Sequence, residues 1–217
     1  MIKVKICGLN DASGLNAAVA AGADWVGYNF FERSPRFVTP AQAAAFSKPV
    51  HGGPKRVGLF VNPTDAAIAD TLDIFELDVL QIYAPASRVA EIRRRFGLPV
   101  WRAVHVATMA DLPPEASEDG FVIEPRPPIG ATRPGGNAVS LDWSMLAGWP
   151  APRPWLLAGG LRPDNVGEAI RASGTTAVDV SSGVESAPGV KSPEMICEFI
   201  RLARLPDAVE SGAAEPA

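Results

Sequence analysis

The sequence predicts a single-domain (β/α)8 TIM barrel of the α/β class, and three observations carry that expectation. Strand-like and helix-like segments alternate about eight times along the 217-residue chain, which is the rhythm of parallel βαβ units. A cysteine, Cys7, ends the first strand-like run in KICG. Two turns rich in glycine and serine follow the last two runs, in LLAGGL (156–161) and VDVSSGVE (178–185). In such barrels the chemistry sits at the C-terminal ends of the strands, and phosphate is frequently held after the seventh and eighth.

The elements follow in order. Residues 2–7 read as a strand of β-branched residues, and 11–21 as a helix of alanine and leucine stopped by Gly22. Strand 25–30 precedes a short helix over 40–47. Strand 56–61 leads into Asn62-Pro63-Thr64, a loop ending in a helix cap, and then a helix to about residue 72. Segments 79–83 and 87–96 repeat the pair, and 100–104 is the fifth strand. Residues 105–119 are the least patterned, with a short helix at most over 107–112. The sixth strand is 121–124, followed by a long Gly/Pro loop and a helix over 141–147. Strand 155–158 with helix 163–172, and strand 177–180 with helix 193–203, complete the series. The barrel is expected to span residues 1–204. The last thirteen residues, 205–217 (LPDAVESGAAEPA), are an unstructured tail with little to bury. The same alternation fits an open doubly wound sheet, but no G-x-G-x-x-G or P-loop pattern follows the first strand.

Composition excludes several classes. A hydrophobic share of 47% with 20% charged residues suits a soluble domain with a substantial core. The net charge of −4 leaves no footprint for nucleic acid or an anionic membrane. There is no signal-peptide pattern and no apolar run long enough to span a bilayer. Two cysteines far apart, Cys7 and Cys197, do not make a disulfide framework. A reducing cytoplasm is the expected compartment. Cys197 is expected to be a buried apolar residue of the last helix.

Free cysteine is most often a small hydrophobe, but a strand tip at a barrel mouth is where catalytic side chains project. There a thiol works as a general base if a nearby cation favours its thiolate. Lys5, two residues back, shares the face of Cys7. In FFERSPR (30–36), Arg36 is the better candidate of two arginines for an anionic substrate group, since guanidinium matches carboxylate with a two-pronged hydrogen bond. Gly159-Gly160 allows close approach of the chain to a ligand, and Ser181-Ser182-Gly183 is expected to open a short helix. Both present free N–H groups suited to phosphate. A further pair, Gly135-Gly136, lies in the long sixth loop, placed to fold over a ligand.

KICG, GADWVGYNFFERSPRFV, GLFVNP, PGGN with DWSMLAG, LLAGGLRPDNVGEAI and VDVSSGVESAPGVK together resemble the phosphoribosylanthranilate isomerase family of tryptophan biosynthesis, through about Arg204. The resemblance implies an Amadori rearrangement of a phosphorylated aminoaldose, without metal or cofactor, by a monomer or homodimer. It implies Cys7 as general base and Arg36 on the anthranilate carboxylate. Gly159, Gly160, Ser182 and Gly183 would hold the phosphate, and Asp179 would line the site. The family's general acid is an aspartate ending the sixth strand; here the position is Glu124, the same acid one methylene longer. Where the family has Gln-Leu-His-Gly at the fourth strand, this chain reads Gln81-Ile82-Tyr83-Ala84. Tyrosine keeps a hydrogen-bonding ring but cannot carry protons near neutrality as histidine does. Of the two histidines, His51 lies in a Gly-rich loop with no evident role, and His105 is expected to support the site rather than react. A histidine-pathway isomerase using two aspartates is disfavoured by Cys7 and the SPR block. A non-catalytic phosphosugar-binding paralogue has only the Glu124 and Tyr83 departures in its support.

Overall fold

The computed structural model describes residues 1–48, 52–127, 130 and 141–205. Eight parallel strands close into a barrel: β1 (Lys3–Ile6), β2 (Trp25–Asn29), β3 (Lys55–Val61), β4 (Val79–Tyr83), β5 (Val100–Val106), β6 (Gly120–Pro125), β7 (Trp155–Leu157) and β8 (Ala177–Val180). Each strand pairs with the next, and β8 returns to β1 with Asp179 opposite Lys5. The expected barrel is the observed one.

The helices form where local chemistry starts and stops them. α1 (Ala12–Ala20) begins at Asp11, whose carboxylate accepts from the Gly14 N–H. α2 (Pro40–Phe46) has a reciprocal capping box between Thr39 and Gln42 and a proline in its first turn. α3 (Asp65–Ile74) starts at Thr64, the cap the sequence signalled. α4 (Ala86–Phe96) stops at Gly97, whose left-handed conformation closes the last turn. α5 (Val166–Ser173) and α6 (Pro193–Ala203) follow β7 and the region after β8.

The short helix allowed over 107–112 is a 3-10 turn, Met109–Asp111. Four expectations change. β5 runs on to Val106, because its inner face continues through His105 beside Glu124. The segment after β6 expected to be helical is a 3-10 turn, Trp143–Leu146, started by the Asp142 side chain. Ser181-Ser182-Gly183 opens a single 3-10 turn, Ser182–Val184, rather than a helix. It feeds an unanticipated hairpin of β9 (Glu185–Ala187) and β10 (Val190–Lys191). Cys197 is exposed, because α6 turns Ile196, Phe199, Ile200 and Ala203 inward and leaves position 197 on the solvent side. The expected tail lies, apart from Leu205, outside the described residues.

Period two on a closed sheet sends alternate residues into the barrel. Val4, Ile6, Val26 and Tyr28 point outward into the core under the helices. Inward, the N-terminal end is plugged by Trp25, Val57, Val79, Trp101 and Val122, with the two tryptophan rings edge to face at 5.2 Å. Toward the other end the inner face becomes polar: Lys5, Gln81, Glu124 and Asp179 are all buried. Strands buried on both faces are normally near-continuous apolar runs, so these interruptions mark function.

Trp101→Ala should lower the unfolding free energy by about 3–5 kcal/mol in urea titration. Activity of the folded fraction should be nearly unchanged, since Trp101 plugs the end away from the polar face.

Candidate active site

The polar ends of the inner faces meet in one cavity at the C-terminal mouth of the barrel. Its floor holds Cys7, Gln81, Tyr83, Glu124 and Asp179; Asn29, Phe31 and Arg36 form one side, and Gly159 to Leu161 with Ser181 and Ser182 form another. Every predicted site residue within the described part except Gly183 lines this space, and Gly183 lies directly behind it. Gly135 and Gly136 lie outside the described residues, as does His51.

Burial sets the chemistry of the floor. Glu124 is enclosed, and desolvation pushes its carboxyl up to about 8, with the Asp179 charge adding to the rise and Tyr83 and Lys5 opposing it. Glu124 therefore holds a proton at neutral pH. Its Oε1 has no hydrogen-bond partner among the described residues and stands 3.8 Å from His105 Nε2. Burial also pushes the Cys7 thiol up; Lys5 opposes this most, Asp179 adds to it, and Lys191 opposes it. Lys5 Nζ donates to Gln81 Oε1 at 2.6 Å and Asp179 Oδ2 at 2.9 Å, all out of solvent. Asp179 Oδ1 has no partner among the described residues.

The two departures from the family pattern share the cavity floor. Tyr83 and Glu124 act on each other there, and the Tyr83 hydroxyl is held well above its usual range by burial and by that carboxyl. Its ring packs against His105, with centroids 5.8 Å apart.

The glycine-rich turns are built for close approach. Gly159 has φ +89°, and a Cβ there would stand 2.1 Å from Pro125 Cδ. At Gly183 a Cβ would fall 1.8 Å from the Leu161 carbonyl oxygen, so only glycine lets the turn after β8 seat against the turn after β7. A single 3-10 turn leaves its first N–H groups without helical partners, and here these belong to Ser182 and Gly183. Asn165 fixes the β7 turn by donating to the Gly160 carbonyl at 3.0 Å and accepting from Arg162 N–H at 2.7 Å.

Arg36 is buried and two-pronged, but its partner is in the chain: Nε and Nη2 donate to Glu185 Oε1 and Oε2 at 2.6 and 2.8 Å. Lys191, on β10, donates to the same carboxylate at 2.8 Å and to the Ser181 carbonyl at 2.8 Å. Burial alone would raise Glu185, but Arg36 and Lys191 outweigh it and hold it at about 2. Two cations thus share one anion beside the glycine-rich turns, leaving an excess positive charge where an anion would dock. Sequence reasoning missed Glu185 and Lys191. Pro188-Gly189 between two short extended runs was the available signal for the hairpin that carries them.

Fold and site define a (β/α)8-barrel enzyme with acid–base groups at the barrel mouth. Residues 4–202 match the family model described as N-(5'phosphoribosyl)anthranilate (PRA) isomerase. The N-(5'-phosphoribosyl)anthranilate isomerase of Acidiphilium cryptum is 55% identical over 204 residues, 94% of this chain and 98% of that protein. The solved phosphoribosyl anthranilate isomerase of Thermotoga maritima superposes with a TM-score of 0.80 at 32% identity, covering 94% of this chain and 98% of that one. Another solved phosphoribosyl anthranilate isomerase, 31% identical, has a TM-score of 0.77 over 94% of this chain and 98% of its own. It is in complex with reduced 1-(o-carboxyphenylamino)-1-deoxyribulose 5-phosphate. The chain belongs to the N-(5'-phosphoribosyl)anthranilate isomerase family.

The raised Glu124 has a stability consequence. Between its unfolded value of 4.5 and its folded value of about 8, the native state binds the extra proton. Stability therefore falls as pH rises through that window, by at most about 1.4 kcal/mol per pH unit from this group. Glu124→Gln removes the titration. Its stability relative to wild type should be higher at pH 8 than at pH 5 by urea denaturation, and a pH-independent difference would place the carboxyl in an ordinary solvated environment.

Proposed function

We propose that Cys7 and Glu124 divide the proton transfers of the isomerisation that this chain performs on N-(5'-phosphoribosyl)anthranilate in tryptophan biosynthesis. The observation that carries this reading is a thiol and a protonated carboxyl buried on one cavity floor, with cationic and amide groups at its sides.

Glu124 gives its proton to the furanose ring oxygen as the C1–O bond breaks, leaving a Schiff base between C1 and the anthranilate nitrogen. The Cys7 thiolate then takes the C2 proton, and the electron pair moves into the C1–C2 bond to give an enolamine. Tautomerisation yields the aminoketone, 1-(2-carboxyphenylamino)-1-deoxyribulose 5-phosphate. No electron leaves the substrate, so the reaction needs no redox partner. Asp179 Oδ1 accepts a hydrogen bond from the sugar. The N–H groups of the Gly159-Gly160 and Ser182-Gly183 turns hold the phosphate. Arg36 presents the N–H groups that Glu185 leaves unused to the anthranilate carboxylate, and the Phe31 ring lies along the aromatic ring. Fixing both ends of the substrate places C2 and the ring oxygen between base and acid, a large share of the acceleration. Every group in this scheme comes from one chain, so a monomer suffices for turnover, and its charged, phosphorylated substrate fits work in the cytoplasm.

The longer acid at position 124 fits the same role. The extra methylene moves the carboxyl by roughly an ångström, and the Tyr83 hydroxyl, in place of an imidazole, meets it there. Glu124→Asp in this backbone should therefore lower kcat, though less than Glu124→Gln does.

Cys7→Ser should lower kcat by at least about a hundredfold with KM little changed. A variant keeping a tenth of wild-type kcat would remove Cys7 from the base role. The working form, thiolate with protonated carboxyl, is the one-proton state of the pair. Because the thiol is raised above its usual 9.0 and Glu124 lies near 8, kcat/KM should climb with pH toward about 8. An optimum below pH 7 would contradict the assignment.

A further inference from the structure

We infer that Lys5 is the positioning residue that makes Cys7 a usable base: its buried ammonium, braced by Gln81 and Asp179, turns its remaining N–H to the Cys7 sulfur and holds the thiolate. The inference deepens the reading above and rests on Cys7 being the base.

The geometry leaves one donor to account for. A lysine ammonium has three N–H groups. Gln81 Oε1 and Asp179 Oδ2 take two of them, at 2.6 and 2.9 Å, and the side chain is wholly out of solvent. Cys7 lies two residues along the same strand direction, on the same inner face. Opposite them, β2 carries Gly27. A Cβ at that position would stand 2.9 Å from Cys7 Sγ and 3.2 Å from Lys5 Cε. The thiol and the lysine stem therefore share the space that Gly27 leaves open, and any side chain there would drive between them. The Lys5 charge and the Cys7 thiolate attract each other across that space.

A buried ammonium carries a desolvation cost that an apolar residue of the same volume avoids. The cation is kept here beside Cys7, whereas the other cysteine is exposed. The groups facing the sulfur come from several elements: Lys5 from β1, Asp179 from β8, Tyr83 from β4, Glu124 from β6 and Lys191 from β10. Of the two cations, Lys191 is committed to Glu185 and to Ser181. Lys5 acts on the thiol more strongly than Lys191 does, and it opposes Asp179 as well as burial. During turnover Cys7 alone exchanges a proton with C2. Lys5 keeps its own, since Asp179 and Cys7 outweigh burial and leave it raised.

The test reads the thiol directly, in a Cys197→Ser background that removes the exposed cysteine. Iodoacetamide alkylation of Cys7 is followed against pH in this protein and with Lys5→Met added. The expected result is a midpoint moved upward by about one pH unit or more, and a rate at pH 8 about tenfold lower. With substrate, kcat should fall by a similar factor while KM changes less than about threefold. Coincident alkylation profiles would overturn the inference, as would faster alkylation at every pH with an unmoved midpoint, the signature of a merely structural brace. If Lys5→Met does not fold, Lys5→Gln decides. It keeps a hydrogen-bonding stem and removes the charge, so the midpoint should rise, and an unchanged or lowered midpoint overturns the inference. Failure of the base role is read separately: full turnover by Cys7→Ser would sink that role without altering the alkylation profiles.

Discussion

Closure of the sheet is the constraint on which everything else here depends. A closed parallel barrel has no edge, and each residue points either under the helices or into a narrow interior. Once β8 pairs with β1, with Lys5 opposite Asp179, the direction of each neighbouring side chain on those strands is set. The interior is too small for water-filled space, so its N-terminal half must be apolar, as Trp25, Val57, Val79 and Trp101 are. Polar residues can then be afforded only near the mouth, where a ligand completes their hydrogen bonds. The oxygens of Glu124 and Asp179 that lack partners among the described residues are both found there.

Buried charge is arranged in two ways at that mouth. Lys5 and Asp179 form a pair of opposite charge deep on the floor, and Glu124 avoids charge by holding its proton. At the rim, Arg36 and Lys191 converge on Glu185 and leave positive charge uncompensated. A deep region without excess charge suits the proposed proton transfers. A positive rim suits a ligand with anionic ends. The hairpin of β9 and β10 makes the second arrangement possible, since its Glu185 and Lys191 sit at the two ends of one short turn.

The residues at 83 and 124 are better understood together than apart. Taken singly, a glutamate for an aspartate and a tyrosine for a histidine each look like erosion of a catalytic pattern. In three dimensions the tyrosine hydroxyl meets the longer carboxyl, and His105 on the next strand packs against the tyrosine ring and approaches the same carboxyl. The acid is surrounded by groups matched to its length, and its proton is retained. That arrangement speaks for a working site and against a non-catalytic paralogue.

The sequence by itself determined the barrel, because strand and helix periodicities and a cap residue such as Thr64 are local signals, acting within a few residues. It also singled out Cys7, Arg36 and the two glycine-rich turns, which line the cavity, since each lies at a strand end in a recognisable block. Where a helix was expected and a 3-10 turn formed, at Trp143–Leu146 and Ser182–Val184, local pattern yielded to chain geometry: both segments are short and capped by their own turns. Only the tertiary structure decided what each charge faces. Lys5 finds Gln81 across 76 residues and Asp179 across 174, and Arg36 finds Glu185 across 149. No periodicity reports such distances, because the partners are brought together by closure of the barrel, which is a property of the whole sheet and of no segment within it.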